Sequence, residues 1–497
     1  MLQPDSIAGL AGARVLFLNW RDPVHPLAGG AEVYCWEIAR RFAAAGAQVT
    51  LLTSRPSGAP ARTLVDGVRV DRRGGTYSLY AHAAAFLAGN RRHFDAVVDC
   101  QNGIPFFSPA FVRRGTSVVC VIHHVHQEQF GVHFGWPLRV LGRELEGRWS
   151  RLLYGRRPMA VVSPSTRAAV RATLGLRGPI FIVPNGAPSP ARLDRRRRSP
   201  SPLIGCVGRL AAHKRMDLLV HAAPELRRRV PGLTIEIAGD GPDRPRLVKL
   251  ARDLAVDDIV RFLGHVSTED KERLLGSAWL TVNPSMGEGW GLGVLEANAH
   301  GVPAVAFRVP GLRDSVRDGI TGWLLDPAAD LGACVARALA TLSEPDEAHA
   351  WAVRCRAWAA RFDWEESAQR LAGIIVADRA QRSRRRPDRR RTSNDAACLV
   401  EIAAAPARRL GELTGRLRRT DLWSVQGDTA RLILHGVDER DIGAALDRLD
   451  LSGAVITMAP AGGYNLLVGS GLHPDIALRA ELASTGTETP RDRHAAP

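Results

Sequence analysis

The densest group of chemically capable residues lies between Pro284 and Pro303, reading Pro-Ser-Met-Gly-Glu-Gly-Trp-Gly-Leu-Gly-Val-Leu-Glu-Ala-Asn-Ala-His-Gly-Val-Pro. Glycines at 287, 289, 291 and 293 let a backbone approach a ligand closely, and the loop runs directly into a helix whose unpaired N–H groups attract anions. By construction this is a phosphate cradle. Glu288 stands in the loop, and Glu296 follows about one turn into the helix, so both face one ligand while meeting different parts of it. Carboxylates accept hydrogen bonds from hydroxyls, as sugars require. A bare glycine turn, with a glutamate that merely suits the helix dipole, is the competing reading, and it leaves the elaborate spacing unexplained.

Upstream, Gly208-Arg209-Leu-Ala-Ala-His-Lys214-Arg-Met-Asp217 sits where a strand hands over to a helix, a usual phosphate position in open α/β sheets. An arginine can bind phosphate as a fork and a lysine as a point charge, so Arg209 and Lys214 are expected to clamp a diphosphate, with a basic surface loop as the competing reading. Lysine occurs only at 214, 249 and 271, against 64 arginines, so each lysine marks a place where the default cation was not used. Nearer the N-terminus, Ala28-Gly29-Gly30-Ala31-Glu32 occupies another strand-to-helix turn, where bare amides would face a reacting group or a departing phosphate. The strand ending at Ile122 delivers His123-His-Val-His126-Gln-Glu128. Adjacent strand histidines point to opposite faces and no Cys or H-E-x-x-H partner lies near, which favours a cleft residue touching substrate over a plain polar loop, and either over a zinc site.

These residues need two scaffolds. Arg14–Asn19, a helix over Ala31–Ala45 and Gln48–Thr53 make one βαβ unit; Leu203–Val207, a helix over Asp217–Val230 and Leu233–Ala238 make a second. Further buried strands are expected at Ala96–Val98, Ser117–Ile122, Ala160–Ser163, Ile180–Val183, Val260–Leu263, Leu280–Asn283 and Ala304–Phe307. The reading is α/β: two Rossmann-like doubly wound domains, 1–190 and 200–380, facing a cleft with a Pro- and Arg-rich hinge near 185–201. A helix from Trp364 to about Arg379 is expected to close the second domain, followed by an Arg-rich linker at 381–395, a small α+β domain at 396–483 and a disordered tail at 484–497.

Composition narrows the classes. No run of the 497-residue chain approaches the ~18 apolar residues of a membrane span, and no basic-flanked leader opens it. Seven scattered cysteines without a C-x-x-C pair fit a reduced cytosol. The net charge of +16 would suggest a nucleic-acid partner, but residues 192–198 and 379–391 supply +11 of it, and both runs read first as solvated linkers. Residues 136–157 mix Trp, Leu and six Arg, so a helix on an anionic membrane surface competes with an exposed helix that packs its Leu face on the domain. No G-x-G-x-x-G, no G-x-x-x-x-G-K-[ST] and no Asp-x-Asp occur, which disfavours an NAD fingerprint, a P-loop and a metal-gripping aspartate pair.

Taken together, the E-x7-E segment with its Glu-Gly-Trp-Gly-Leu core, the Gly-Arg-Leu…Lys segment, Gly239-Asp-Gly-Pro242, Val309-Pro-Gly-Leu-Arg-Asp-Ser-Val316 and the Gly-Gly-Ala-Glu turn resemble family-four retaining glycosyltransferases of the GT-B fold, over residues 13–380. The resemblance implies metal-independent, cofactor-free transfer of a hexose from a nucleotide diphosphate sugar to a carbohydrate or lipid-linked acceptor, in cell-envelope glycan, glycolipid or secondary-metabolite assembly. It further implies that Glu288, with Gly289, Gly291 and Leu292, meets the donor sugar, that Glu296 meets the ribose, and that Arg209 and Lys214 meet the diphosphate. Gly29 and Gly30 would lie beside the reacting centre, and His123 would contact the transferred sugar, with His124 and His126 competing for that role. The implied location is the cytoplasm, including the inner face of the plasma membrane. Residues 396–483 fall outside the pattern.

Overall fold

The computed structural model describes residues 6–127, 135–188 and 198–383, and beyond them four strands with Leu446, Leu449 and Leu451. Most of the 192–198 run, residues 384–395 of the expected linker, much of the expected 396–483 domain and the tail lie outside the described residues.

The first domain is built on an eight-stranded sheet: β1 (Arg14–Leu18), β2 (Gln48–Thr53), β3 (Arg62–Val65), β4 (Val68–Arg72), β5 (Ala96–Gln101), β6 (Ser117–Ile122), β7 (Met159–Val161) and β8 (Ile180–Ile182), in the order β3-β4-β2-β1-β5-β6-β7-β8. All neighbours are parallel except β3, which pairs antiparallel with β4. The central strands are apolar without alternation because both faces are covered. On β1, Val15 and Phe17 enter one core while Leu16 and Leu18 enter the other, and β6 divides the same way, with Val119 and Val121 against Val118, Cys120 and Ile122. Tyr34, Cys35, Ile38, Ala39 and Phe42 bury one face of the Gly30–Ala44 helix on the first of these cores.

The second domain carries β9 (Leu203–Val207), β10 (Thr234–Ala238), β11 (Val260–Gly264), β12 (Thr281–Asn283), β13 (Ala304–Phe307) and β14 (Gly322–Leu325). β11-β10-β9 and β12-β13-β14 are joined by the Ile204–Leu280 bridge and the Gly205 N–H to Leu280 carbonyl bond of 3.0 Å. The resulting order, 3-2-1-4-5-6 within the domain, is that of a doubly wound dinucleotide-type sheet, whose ligands bind beyond the carboxyl ends of the strands. Past residue 396, β15 (Ala397–Ile402), β16 (Leu422–Gln426), β17 (Thr429–His435) and β18 (Val455–Ala459) form an antiparallel sheet in the order β16-β17-β15-β18.

One expectation is corrected. The helix from Trp364, which runs to Ser383 and so takes up the start of the expected linker, packs on the first domain rather than closing the second. Its apolar face (Trp364, Ala368, Leu371, Ala372, Ile375) joins the core of β1 and the Gly30–Ala44 helix. Ser367 Oγ donates to the Pro184 carbonyl at 2.7 Å, and Ser117 Oγ donates to Asp378 at 2.7 Å.

Candidate active site

The site forms where the carboxyl ends of both sheets meet. After β12, the chain turns at Asn283 and presents Glu288, whose backbone N–H donates to the Pro310 carbonyl at 3.0 Å. Lys214 Nζ donates to both Glu288 carboxylate oxygens, at 2.6 and 2.7 Å; Ser285 Oγ donates at 2.8 Å and Asn283 Nδ2 at 3.4 Å. Burial pushes the Glu288 carboxyl upward, but the Lys214 charge and these hydrogen bonds outweigh it and hold the group below the usual carboxylate range. At neutral pH it is therefore an ionised acceptor.

Gly291 ends the loop with φ +96° and starts the Leu292–Ala299 helix, whose N-terminus faces that of the Gly30–Ala44 helix across the cleft. The two ends are close enough that a Cβ on Gly30 would sit 3.7 Å from Leu292 Cδ2. At Gly29 the expectation of a bare amide is corrected: its N–H donates to the buried Glu32 carboxylate at 2.8 Å, so the turn is capped from within its own helix. Burial raises the Glu32 carboxyl, while Arg21 and Arg209 act on it in the opposite sense. Exposed Arg209, from the end of β9, thus lies within electrostatic reach of the first domain's helix turn.

The three histidines separate. His123 turns its ring into the first domain, edge-on to Tyr34 at 4.9 Å, and burial followed by the His126 charge pushes it down to about 3, so it is neutral. Its Nε2 has no partner among the described residues. The ring of His124 stands against the glutamate loop, with its Cε1 3.8 Å from where a Gly287 Cβ would be; burial, then His126, lowers it to about 4 despite the opposing pull of Glu288. His126 is drawn away, its N–H donating to the buried Glu146 carboxylate at 2.7 Å. Among the described residues no group of three or more His, Cys, Asp or Glu is gathered as a metal would need.

The domains are in contact across this cleft. Ser165 N–H donates to Asp314 at 3.1 Å, Arg313 Nε donates to Ser165 Oγ at 2.9 Å, and Thr166 Oγ1 donates to the Gly289 carbonyl at 3.4 Å. Gly289 is where the approach is tightest, since a Cβ there would lie 2.3 Å from the His123 carbonyl oxygen.

Glu296 has a partner that motif reasoning missed: Lys271 Nζ, from the Thr268–Ser277 helix, donates to Glu296 Oε1 at 2.6 Å. The scarcity of lysine was its signal. Two of the chain's three lysines hold the two glutamates: Lys214 spans both Glu288 oxygens, while Lys271 meets Glu296 at Oε1. Lys271→Met is therefore expected to raise the donor KM about tenfold with a smaller change in kcat, as steady-state kinetics would show. An unchanged KM would mean that Glu296 needs no such support.

Two doubly wound domains meeting at a glycine-lined cleft that carries carboxylates and cations define a GT-B glycosyltransferase. The chain belongs to glycosyltransferase family 4: residues 28–189 match the model described as Glycosyltransferase Family 4, and residues 192–358 that described as Glycosyl transferases group 1. It is 29% identical over 412 residues to a glycogen synthase of Mycobacterium tuberculosis, spanning 76% of this chain and 97% of that one. It is 31% identical over 301 residues to a GDP-mannose-dependent alpha-(1-6)-phosphatidylinositol monomannoside mannosyltransferase of the same organism, covering 56% and 74%. In fold it resembles sucrose-phosphate synthase from Thermosynechococcus elongatus, with TM-score 0.60, 20% identity, and coverage of 72% and 97%. The chain is a glycosyltransferase enzyme that uses a nucleotide sugar.

Proposed function

We propose that this enzyme transfers a hexose with retention of configuration, without metal or cofactor, from a nucleotide diphosphate sugar to a carbohydrate or lipid-linked acceptor in cell-envelope glycan, glycolipid or secondary-metabolite assembly. The observation that carries the reading is Glu288: a carboxylate kept ionised by Lys214 beside two helix N-termini, with Arg209 within electrostatic reach of Glu32 in the facing helix turn. The two relatives, a glycogen synthase and a GDP-mannose-dependent phosphatidylinositol monomannoside mannosyltransferase, support a hexose and both acceptor classes.

In this reading the acceptor oxygen attacks the anomeric carbon on the face from which the phosphate leaves. The bond from that carbon to the phosphate oxygen breaks, and the acceptor proton passes to the departing oxygen. Arg209, Lys214 and the Leu292–Ala299 helix N-terminus meet the charge that develops on the diphosphate, the place where preorganised cations and dipoles count most. Once Lys214 turns to the phosphate, Glu288 is free to accept sugar hydroxyls. Neutral His124, and the unpaired Nε2 of His123, offer further hydrogen bonds.

The test is thermal stabilisation across a panel of nucleotide diphosphates and their sugars, where a ligand at ~100 times its Kd adds about 2.7 kcal/mol. One nucleotide is expected to shift the melting temperature selectively. Arg209→Ala is expected to weaken the diphosphate about tenfold while leaving the nucleoside almost unchanged, because it removes a charge-assisted bond to phosphate alone. Equal losses for both ligands would contradict the clamp.

A further inference from the structure

The helical run Trp136–Tyr154 packs inside out. It comprises the Trp136–Glu144 helix, a π-helical stretch Leu145–Trp149 and a last turn Ser150–Tyr154. The face it buries is Gly142, Glu146, Ser150 and Tyr154, spaced by four. Glu146, fully buried, is held by the His126 N–H and by Gln127 Nε2 at 2.8 Å, which fixes the run to the histidine loop of the active site. The opposite side carries Leu138, Leu141, Leu145, Trp149 and Leu152, spaced by three or four; Leu138 is 56% exposed, Trp149 50% and Leu152 72%, and Trp136 before them 73%. The alternative in which this stripe packs on the domain is thus overturned: the domain takes Gly142, Glu146, Ser150 and Tyr154 with Leu153.

We propose that this stripe is a docking surface for an anionic lipid bilayer. A large apolar face left in water marks an interaction site, and Leu with Trp beside Arg is the composition of helices that lie in a lipid headgroup layer. Charge chooses the occupant. The exposed charges are Arg143, Arg148 and Arg151 within the run and Arg156 just after it, against Glu144, so phosphate headgroups complement it, whereas a second copy of this chain docked by two-fold symmetry would set arginines against arginines. Because Glu146 ties the run to the loop bearing His123 and His124, a bilayer gripped here lies beside the cleft. This deepens the proposed function by selecting lipid-linked acceptors, and it rests on that reading only for the acceptor.

The experiment is co-sedimentation of the full chain with vesicles of neutral phosphatidylcholine and with vesicles that also contain phosphatidylglycerol. Binding is expected only to the anionic vesicles and is expected to weaken with salt. Leu141→Asp with Leu152→Asp, both exposed and so tolerated by the fold, is expected to reduce the bound fraction at least about tenfold. Arg148→Gln with Arg151→Gln is expected to erase the preference for anionic over neutral vesicles. In all these variants the thermal shift with donor stays unchanged. No binding by the parent chain, or undiminished binding by the aspartate variant, overturns the proposal; so does a parent dimer that the aspartates dissolve without any effect of lipid. Vesicle binding is measured without donor, so its outcome holds whether or not sugar transfer is found.

Discussion

Glu288→Gln is expected to lower sugar transfer by about a thousandfold, the scale of removing one preorganised electrostatic group from a transition state. Glutamine keeps the volume and one carbonyl acceptor for Ser285 and Asn283, so the loop is retained. What it loses is the charge that Lys214 neutralises and the second acceptor oxygen for sugar hydroxyls. Lys214 then has no carboxylate to hold and is drawn more strongly to the diphosphate. The variant is therefore expected to bind nucleoside diphosphate as well as the parent, or better, while turning over far more slowly. Single-turnover transfer measured beside calorimetric binding of the nucleotide separates the two effects, and parent-like turnover would remove Glu288 from the chemistry.

The second large effect is expected from Gly289→Ala, which adds one methyl group. The added carbon would lie 2.3 Å from the His123 carbonyl oxygen and 3.4 Å from Val162 Cγ2, and the nearer obstacle is backbone, which cannot swing aside. Since Gly289 belongs to the second domain and His123 to the first, relief comes by parting the domains. A displacement of about 1 Å in positioning costs on the order of a hundredfold in rate. The groups proposed to hold the nucleotide, Arg209, Lys214, Lys271 and Glu296, all sit in the second domain and are left in place. Turnover is expected to fall about a hundredfold with nucleotide binding nearly intact. If turnover held, the tight approach at Gly289 would have no part in the reaction.

What the sequence made legible follows burial. β1, β2, β6, β9 and β13 were readable because both faces of their sheets are covered, which writes uninterrupted apolar runs. The β3–β4 hairpin was missed although Asp66-Gly67, both at positive φ, marks its turn, because β3 is an exposed edge strand without an apolar pattern. β14 was missed because it is short and follows a turn. In the site, Glu288, Lys214 and the glycine loop come together because one motif carries most of them and the strand-to-helix turns supply the rest. Lys271 and Glu146 escaped: each acts through a hydrogen bond from a remote helix, and pairing across 20 residues or more leaves no local pattern. The division of the histidines was also beyond the sequence, since it depends on which strand face Tyr34 fills.

The returning helix Trp364–Ser383 makes the first domain a discontinuous unit, with consequences for the order in which the enzyme is made. The first domain's strands leave the ribosome before any part of the second, yet Trp364, Leu371 and Ile375, which share its core, are synthesised only after the second domain's whole sheet. The second domain's sheet, β9 to β14, is contiguous and can fold as soon as it emerges. Of these two domains the one begun first is thus completed second, and until then its core lacks the residues that the helix supplies. The cleft consequently acquires its final shape only once both halves and the returning helix have been made.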